Sequence, residues 1–376
     1  MATLEQAFSD LTGMRPTGLW RAPGRVNLIG EHTDYNAGFV LPFAIPQATT
    51  VAAAPRPDGR WRVRSLDLGE TREIGPNHLT PRTPGWASYV FGVVWAMREA
   101  GFDVEGADLV LRSDVPIGAG LSSSAAIECA TLAALADLSG LEIEPMARAR
   151  LARIAENEYV GAPTGPMDQA ASTLCVADHA LFLDCRTFQV RNVPLDLARA
   201  GLTILVIDTK TSHAHVSGEY AKRRASCEKA CQILGIRALR DVDDLAAAMR
   251  QLPPLDARRV RHVVTENRRV LDTVAALGRH DFRAVGTLMT ASHASMRDDY
   301  EITAPTVDLA VHVALAHGAL GARMTGGGFG GCVLALVPER QADDLAESVA
   351  LAFRAAGHPM PESFRARPSA GAHRVS

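Results

Sequence analysis

The chain has 376 residues, 47% of them hydrophobic and 22% charged, which is enough for roughly two domains with their own cores and too apolar for a disordered chain. Its 39 Lys and Arg stand against 42 Asp and Glu, for a net charge of −3. No overall field therefore draws it to nucleic acid or to an anionic membrane, and a small-molecule partner is expected. The start, MATLEQAFSD, lacks a basic segment followed by an apolar one. The longest uncharged apolar run, Leu309 to Ala322, is broken by His312 and His317 and is too short to span a bilayer, so a cytoplasmic protein is expected. Six cysteines without a CxxC pair fit reduced core thiols better than a disulfide frame or a zinc site. The only lysines are Lys210, Lys222 and Lys229, and none follows a glycine. That excludes a Walker-type loop, so any phosphate site must use backbone N–H groups, arginine and a metal ion.

In chain order, the first informative stretch is Arg21 to Pro42, RAPGRVNLIGEHTDYNAGFVLP. It sets Arg25, Asn27, Glu31, His32, Asp34, Tyr35 and Asn36 among glycines and apolar residues that read as the end of a strand. Fork-shaped, planar and carboxylate groups in such surroundings need partners when buried, and a polyhydroxylated ligand would supply them. Thr50 to Ala54 and Arg60 to Ser65 read as strands about the turn Arg56 to Gly59. Trp86 to Ala100 has helical spacing and stops before Gly101. The strand Asp108 to Ser113 leads into a glycine-rich turn and an Ala-rich helix that ends near Gly140. Another helix is expected over Pro145 to Tyr159, followed by the turn Gly161 to Pro166. Leu202 to Asp208 reads as a buried strand opening a second domain, with the division placed near residue 195. Amphipathic helices follow at Glu219 to Leu234, Pro254 to Leu277 and Asp281 to Asp298. A glycine run, Gly326 to Gly331, then enters the strand-like CVLALVP.

Three segments could carry chemistry. Gly118 to Ser124 (GAGLSSS) opens a helix, where free N–H groups and hydroxyls at the positive end of the dipole suit phosphate; an ordinary serine cap after a glycine turn is the alternative. Gly326 to Gly331 matches GxGxxG but precedes a strand, whereas the dinucleotide fingerprint requires strand first and helix second, so a dehydrogenase is excluded. Close approach of backbone to a ligand or another segment, or a tight turn, accounts for the glycines. Asp168, in GAPTGPMDQAAS, reads alone as the cap of a helix starting at Gln169. Glu156 and Glu158 read alone as a solvated helix face. Glu31, His32 and Asp34 match no zinc-helix spacing and suit sugar hydroxyls.

Taken in order, GRVNLIGEHTDY, PIGAGLSSSAA, GPMDQ and TGGGFGGC resemble the galactokinase family of the GHMP small-molecule kinases over nearly the whole chain. GWASYVFGV, GEYAKRR, SHASMRDDYEIT and RARPSAGA are further family-like stretches. The resemblance implies a two-domain α/β (α+β) GHMP kinase fold. Residues 1–195 would form an N-terminal domain with a left-handed βαβ unit, residues 196–376 a ferredoxin-like C-terminal domain, and the active site would lie in the cleft between them. It implies ATP-dependent phosphorylation of the anomeric hydroxyl of galactose, the first committed step of galactose catabolism, with Mg²⁺ as cofactor, by a monomer or weak homo-oligomer. By the same resemblance, Asp168 and Arg25 would be catalytic, and Glu31, His32, Asp34, Gly165 and Tyr220 would bind the sugar. Trp86, Gly118, Ala119, Gly120, Leu121, Ser122, Ser123 and Ser124 would bind ATP, and Ser124 and Glu156 would hold the metal. Pro166 departs from the apolar residue usual before the Met-Asp pair. Two other readings remain: a relative acting on N-acetylgalactosamine, arabinose or galacturonate, and a catalytically silent sugar sensor.

Overall fold

The computed structural model describes residues 3–211 and 216–376. After helix α1 (Leu4–Thr12), the N-terminal half runs β1 (Gly18–Asn27), β2 (Phe39–Val40), β3 (Pro42–Arg56), β4 (Trp61–Ser65), β5 (Glu70–Ile74), α2 (Ser88–Glu99), β6 (Gly106–Ser113), α3 (Ser123–Leu138), α4 (Pro145–Ile154), α5 (Met167–Leu174), β7 (His179–Asp184) and β8 (Val190–Pro194). The C-terminal half runs β9 (Leu202–Asp208), α6 (Val216–Leu234), α7 (Leu245–Gln251), α8 (Pro254–Gly278), α9 (Phe282–Ser295), α10 (Pro305–Ala316), β10 (Gly321–Thr325), β11 (Cys332–Pro338), α11 (Ala342–Ala355), β12 (Glu362–Ala366) and β13 (His373–Arg374).

Three sheets result. The first, in order β13-β1-β3-β6-β4-β5, is antiparallel except for β4 and β6, which run parallel on either side of the α2 crossover. The second has the order β10-β11-β9-β12. With helices between β9 and β10 and again between β11 and β12, this is the β-α-β-β-α-β arrangement of a ferredoxin-like unit. The third pairs β2 with β7 and β7 with β8. Strand β9 (LTILVID) is buried at every position, as an unbroken apolar run requires when both faces are covered.

The expected division near residue 195 falls between β8 and β9, yet the chain crosses it again at its far end. There β13 pairs with β1, and Ser369 bridges to Ala44. One apolar cluster also spans the two halves, joining Val26, Leu28 and Phe43 to Ile204, Val270 and Leu334. The halves thus meet through core packing, and β1 is pinned where it approaches that seam. Its pairing with β3 shifts register between Pro23 and Arg25. Such an irregularity re-aims a side chain at the end of a strand, and here that side chain is Arg25.

Two expected helices stop early. Pro145 to Tyr159 is regular only to Ile154 and then forms a π turn over Ala155–Val160; Asp281 to Asp298 does the same at Met296–Tyr300. A π turn inserts a residue into the 3.6 periodicity, which the sequence pattern does not reveal, and such turns gather at functional positions. The first of them carries Glu156. The surface-face reading of the two glutamates holds for exposed Glu158 but fails for Glu156, which is only 4% exposed.

Candidate active site

A cavity of about 450 Å³ lies between the end of β1, the β6–α3 loop, the loop before α5, the start of α6 and the β10–β11 loop. It is lined by Arg25, Glu31, His32, Asp34, Gly118, Gly120, Leu121, Ser122, Ser123, Ser124, Glu156, Gly165, Asp168 and Tyr220, together with Thr164, Gly326 and Gly327. Five chain segments far apart in sequence therefore converge on one space. Two candidates lie outside this lining. Ala119 is buried beneath the loop, and Trp86 is half-buried, donating its indole N–H to Glu70 Oε2 at 3.0 Å.

At one end, Arg25 Nη2 and Nε lie 2.7 and 2.9 Å from Asp168 Oδ1, and Arg25 Nη1 donates to the carbonyl of Gly120 at 2.6 Å. Ser122 Oγ donates to Asp168 Oδ2 at 2.5 Å. These contacts change two readings made from sequence. Helix α5 starts at Met167 after Pro166, and Asp168 lies inside its first turn, where it serves the cavity and does not cap. Ser122 takes the cap position of α3 in a left-handed conformation (φ 59°) without a side-chain capping bond. The first-turn N–H groups of α3, which a helix cannot satisfy internally, are thereby left uncapped by Ser122 at the cavity that Ser122, Ser123 and Ser124 line.

Beyond that ion pair sits Asp34. Burial and the nearby Asp168 charge push its pKa up to about 6, against the opposing pull of the Tyr35 N–H and of Arg25. Its carboxylate rests against Gly165, where a Cβ would overlap it. Here glycine is a requirement of space, not of backbone angle. Tyr220 brings a phenol whose pKa is raised by burial and then by Asp34.

The other end is closed by a buried charge network. Glu31 accepts from Asn27 Nδ2 (2.6 Å), Arg323 Nη2 (2.7 Å), Thr325 Oγ1 (3.2 Å) and the Gly326 N–H (2.8 Å). Arg323, fully buried on β10, also donates to the carbonyls of Asn27 and Leu28. Glu266 on α8 accepts from the Gly30 N–H, Ser292 and Arg269. Burial raises Glu266, but Arg269 and Arg323 outweigh it and bring its pKa to about 2. Glu31 stays above its usual range because burial exceeds the help from Arg323. His32 is held neutral, with a pKa lowered to about 3 by burial and by His262. Its Nε2 meets the carbonyl of Gly327 at 3.2 Å, so Nδ1 accepts from Tyr35 Oη at 2.6 Å. Tyr35 meets Tyr300 Oη at 2.8 Å, and Tyr300 meets Cys227 Sγ at 3.1 Å. A line of oriented hydrogen bonds thus runs from the cavity wall into the C-terminal core.

Beside the Ala-rich helix lies an acidic corner. Glu156 Oε2 accepts from Thr164 Oγ1 at 2.8 Å and from Gln169 Nε2 at 2.6 Å, and the same amide donates to Glu128 Oε2 at 3.0 Å. Burial, then the Asp168 charge, raises the Glu156 pKa; burial, then Glu156, raises Glu128. Glu128 is fully buried, and its Oε1 has no hydrogen-bond partner. Opposite, the Gly326 to Gly331 run forms the β10–β11 loop and packs on the phosphate-type loop: a Cβ on Gly326 would lie 2.9 Å from Gly120 O, and one on Gly331 3.1 Å from Ala119 O. Close backbone approach, one of the two explanations open from sequence, is what the loop shows.

Sequence reasoning missed Arg323, Glu266, Glu128, Tyr300 and Thr164. Arg323 stands three residues before the glycine run, an arginine between Ala322 and Met324, a signal that could have been read.

A galactokinase galactose-binding signature matches residues 6–55, the GHMP kinases N terminal domain residues 88–175 and the GHMP kinases C terminal domain residues 273–355. The galactokinase of Streptomyces coelicolor is 51% identical over 99% of this chain and 98% of its own length. The chain belongs to the galactokinase family of GHMP kinases. The galactokinase of Mycobacterium tuberculosis is 49% identical over 93% of this chain and 97% of its own length. The fold agrees with that of Lactococcus lactis galactokinase complexed with galactose at a TM-score of 0.94, with 31% identity and 99% of each chain covered. A mevalonate kinase structure shares the fold alone, at a TM-score of 0.67 and 19% identity over 93% of this chain and 98% of its own. Family membership makes the protein an ATP-dependent sugar kinase with the two-domain α/β GHMP fold. Among the described residues, no helix is long and apolar enough to cross a membrane.

Proposed function

We propose that the chain transfers the γ-phosphoryl group of ATP to the anomeric hydroxyl of D-galactose, with Asp168 as general base and Arg25 as its charge partner. The observation that carries this reading is the Arg25–Asp168–Ser122 cluster, which joins one carboxylate to both the strand end of the galactose-binding signature and the loop that opens α3. Phosphoryl transfer with a loose transition state asks for positioning and charge neutralisation more than for a strong nucleophile. In this scheme Asp168 accepts the anomeric proton while Arg25 pairs with its carboxylate and faces the charge of the moving group. Gly118 to Ser124 cradle the phosphates through backbone N–H groups and serine hydroxyls. Asp34, Tyr220 and the Gly165 backbone meet sugar hydroxyls. Glu31 and His32, whose polar atoms already have protein partners, hold the frame around them.

The acidic corner fits a hard divalent cation. Glu128 and Glu156 are buried with too little positive charge beside them, and Ser124 and Glu156 offer oxygen donors. Among the described residues no group of three or more His, Cys, Asp or Glu is placed to cage a metal alone. That suits Mg²⁺, which keeps most of its shell from phosphate and water. Ser124 and Glu156 would hold it, and when bound it would supply charge neutralisation to the phosphate oxygens. The six free thiols, five of them buried, suit a reducing cytoplasm. The test is ATP-dependent ADP release over galactose, N-acetylgalactosamine, arabinose, glucose and galacturonate. Galactose should lead, and glucose, which leaves a group at Asp34 unpaired, should trail by a large factor. Equal rates on the two epimers would overturn the sugar assignment, and no turnover on any sugar would favour a sensor.

A further inference from the structure

Thr164 lies in the loop before α5 and lines the cavity, and it is bound more tightly than a loop residue needs to be. Its N–H donates to Asn157 Oδ1 at 3.1 Å, and its carbonyl accepts from Asn157 Nδ2 at 3.1 Å. Its hydroxyl lies 2.8 Å from Glu156 Oε2 and 3.0 Å from Asn157 Oδ1. A hydroxyl has a single proton, and Asn157 Oδ1 already accepts from the Thr164 N–H, so the nearer Glu156 oxygen is the stronger claimant. The peptide then continues directly into Gly165, the surface against which the Asp34 carboxylate rests. Pro166 follows, which fixes its own φ and restricts the residue before it to extended backbone.

We propose that Thr164 is a positioning residue that couples the two substrate subsites, its hydroxyl orienting Glu156 toward the nucleotide side and its clamped peptide setting Gly165 under Asp34 on the sugar side. The inference deepens the proposed function and rests on its assignment of Asp34 to the sugar and Glu156 to the nucleotide and its cation. Glu156 Oε2 is occupied by Thr164 and Gln169, which leaves Oε1 as the oxygen to turn toward Ser124. Replacing the Thr164 hydroxyl by the larger methyl of valine takes one of the two donors from Glu156 Oε2 and, because the group stands 3.0 Å from the Asn157 Oδ1 that clamps the peptide, crowds that clamp as well. The two ligands should accordingly lose affinity in step, although neither touches the deleted atom on the other's side.

The test compares Thr164→Val, which keeps the shape, with Thr164→Ser, which keeps the hydroxyl. Calorimetry gives Kd for galactose alone and for a Mg²⁺-loaded non-hydrolysable ATP analogue, and steady-state kinetics gives KM and kcat. Thr164→Val should raise both Kd values about tenfold, on the order of the loss of one buried hydrogen bond, and raise both KM values in the same direction. Thr164→Ser should recover most of each loss. Asn157→Ala removes the clamp but leaves the hydroxyl, so it reports on the same coupling if the valine variant folds poorly, and it too should shift both ligands. A shift in only one ligand, a change under twofold in both, or equal damage from serine and valine would overturn the role. Failure of the unaltered protein to phosphorylate galactose is a separate result that counts against the proposed function, and the binding comparison is read without turnover.

Discussion

The two polar ends of the cavity use similar side chains to opposite effect. At the Glu31 end, the carboxylate accepts four hydrogen bonds from within the protein, and Arg323 is enclosed among backbone carbonyls and two glutamates. At the Asp168 end, the carboxylate has Arg25 on one oxygen and a single serine hydroxyl on the other, and its side chain keeps 20% of its surface exposed. A buried carboxylate with its lone pairs used fixes geometry because it would be costly to leave unpaired. An unsaturated one retains capacity to exchange a proton and meet a ligand. The comparison teaches that acidity and burial do not separate a framework carboxylate from a reactive one; what separates them is how many of its lone pairs the protein has already used.

The largest expected effect breaks the framework end. Arg323→Met leaves Glu31 and Glu266 buried without their shared partner and should cost about 3–5 kcal/mol of stability, read as a lowered denaturation midpoint. A loss below about 1 kcal/mol, the usual worth of an exposed pair, would mean that the network holds nothing together. At the reactive end, Asp168→Asn should lower turnover on the order of a hundredfold or more, with calorimetric galactose affinity and melting temperature nearly kept. Near-normal turnover would remove Asp168 from the role of base and erase the contrast between the ends.

Gly165→Ala tests the platform between them. The added methyl must displace the Asp34 carboxylate, so galactose KM should rise about tenfold, equivalent to about 1.4 kcal/mol, with discrimination against glucose reduced; an unchanged KM would show that Asp34 does not read the sugar from that position. The smallest effect is one of pH. Asp34 has a pKa near 6, so galactose affinity should weaken as the pH falls through 6 and the carboxyl gains a proton, a trend that Asp34→Asn should flatten. Stability runs the other way. The folded carboxyl holds its proton more tightly than the unfolded one, so its contribution is complete below the ordinary value of 3.8 and is lost as pH rises through 6. A binding profile flat across that range would place the sugar contact elsewhere.

Much of the architecture was legible because it is written locally. The unbroken apolar run of β9 has the observed bounds of its strand, and Pro254 to Leu277 misses its helix by one residue. The overruns occurred at Tyr159 and Asp298, where π turns break a periodicity that composition cannot show. Asp168 read alone as a helix cap since aspartate suits that position, and only Arg25, 143 residues earlier, shows what it faces. Trp86 was assigned to ATP by resemblance; it lies outside the cavity lining, with its indole N–H on Glu70.

The sequence by itself determined the family, the order of strands and helices, and which short segments hold the reactive side chains, because motif and periodicity are properties of neighbouring residues. Tertiary structure alone decided how those side chains are shared out. Glu31 and Asp168 are both carboxylates in family motifs, but long-range contacts to Arg323 and Arg25 make one a strut and leave the other partly exposed on the cavity wall. Thr164 is an ordinary loop residue until Glu156 and Gly165 are brought to either side of it. The physical reason is the same in each case: the cost or use of a buried polar group depends on the partners it meets, and chain closure across hundreds of residues chooses those partners.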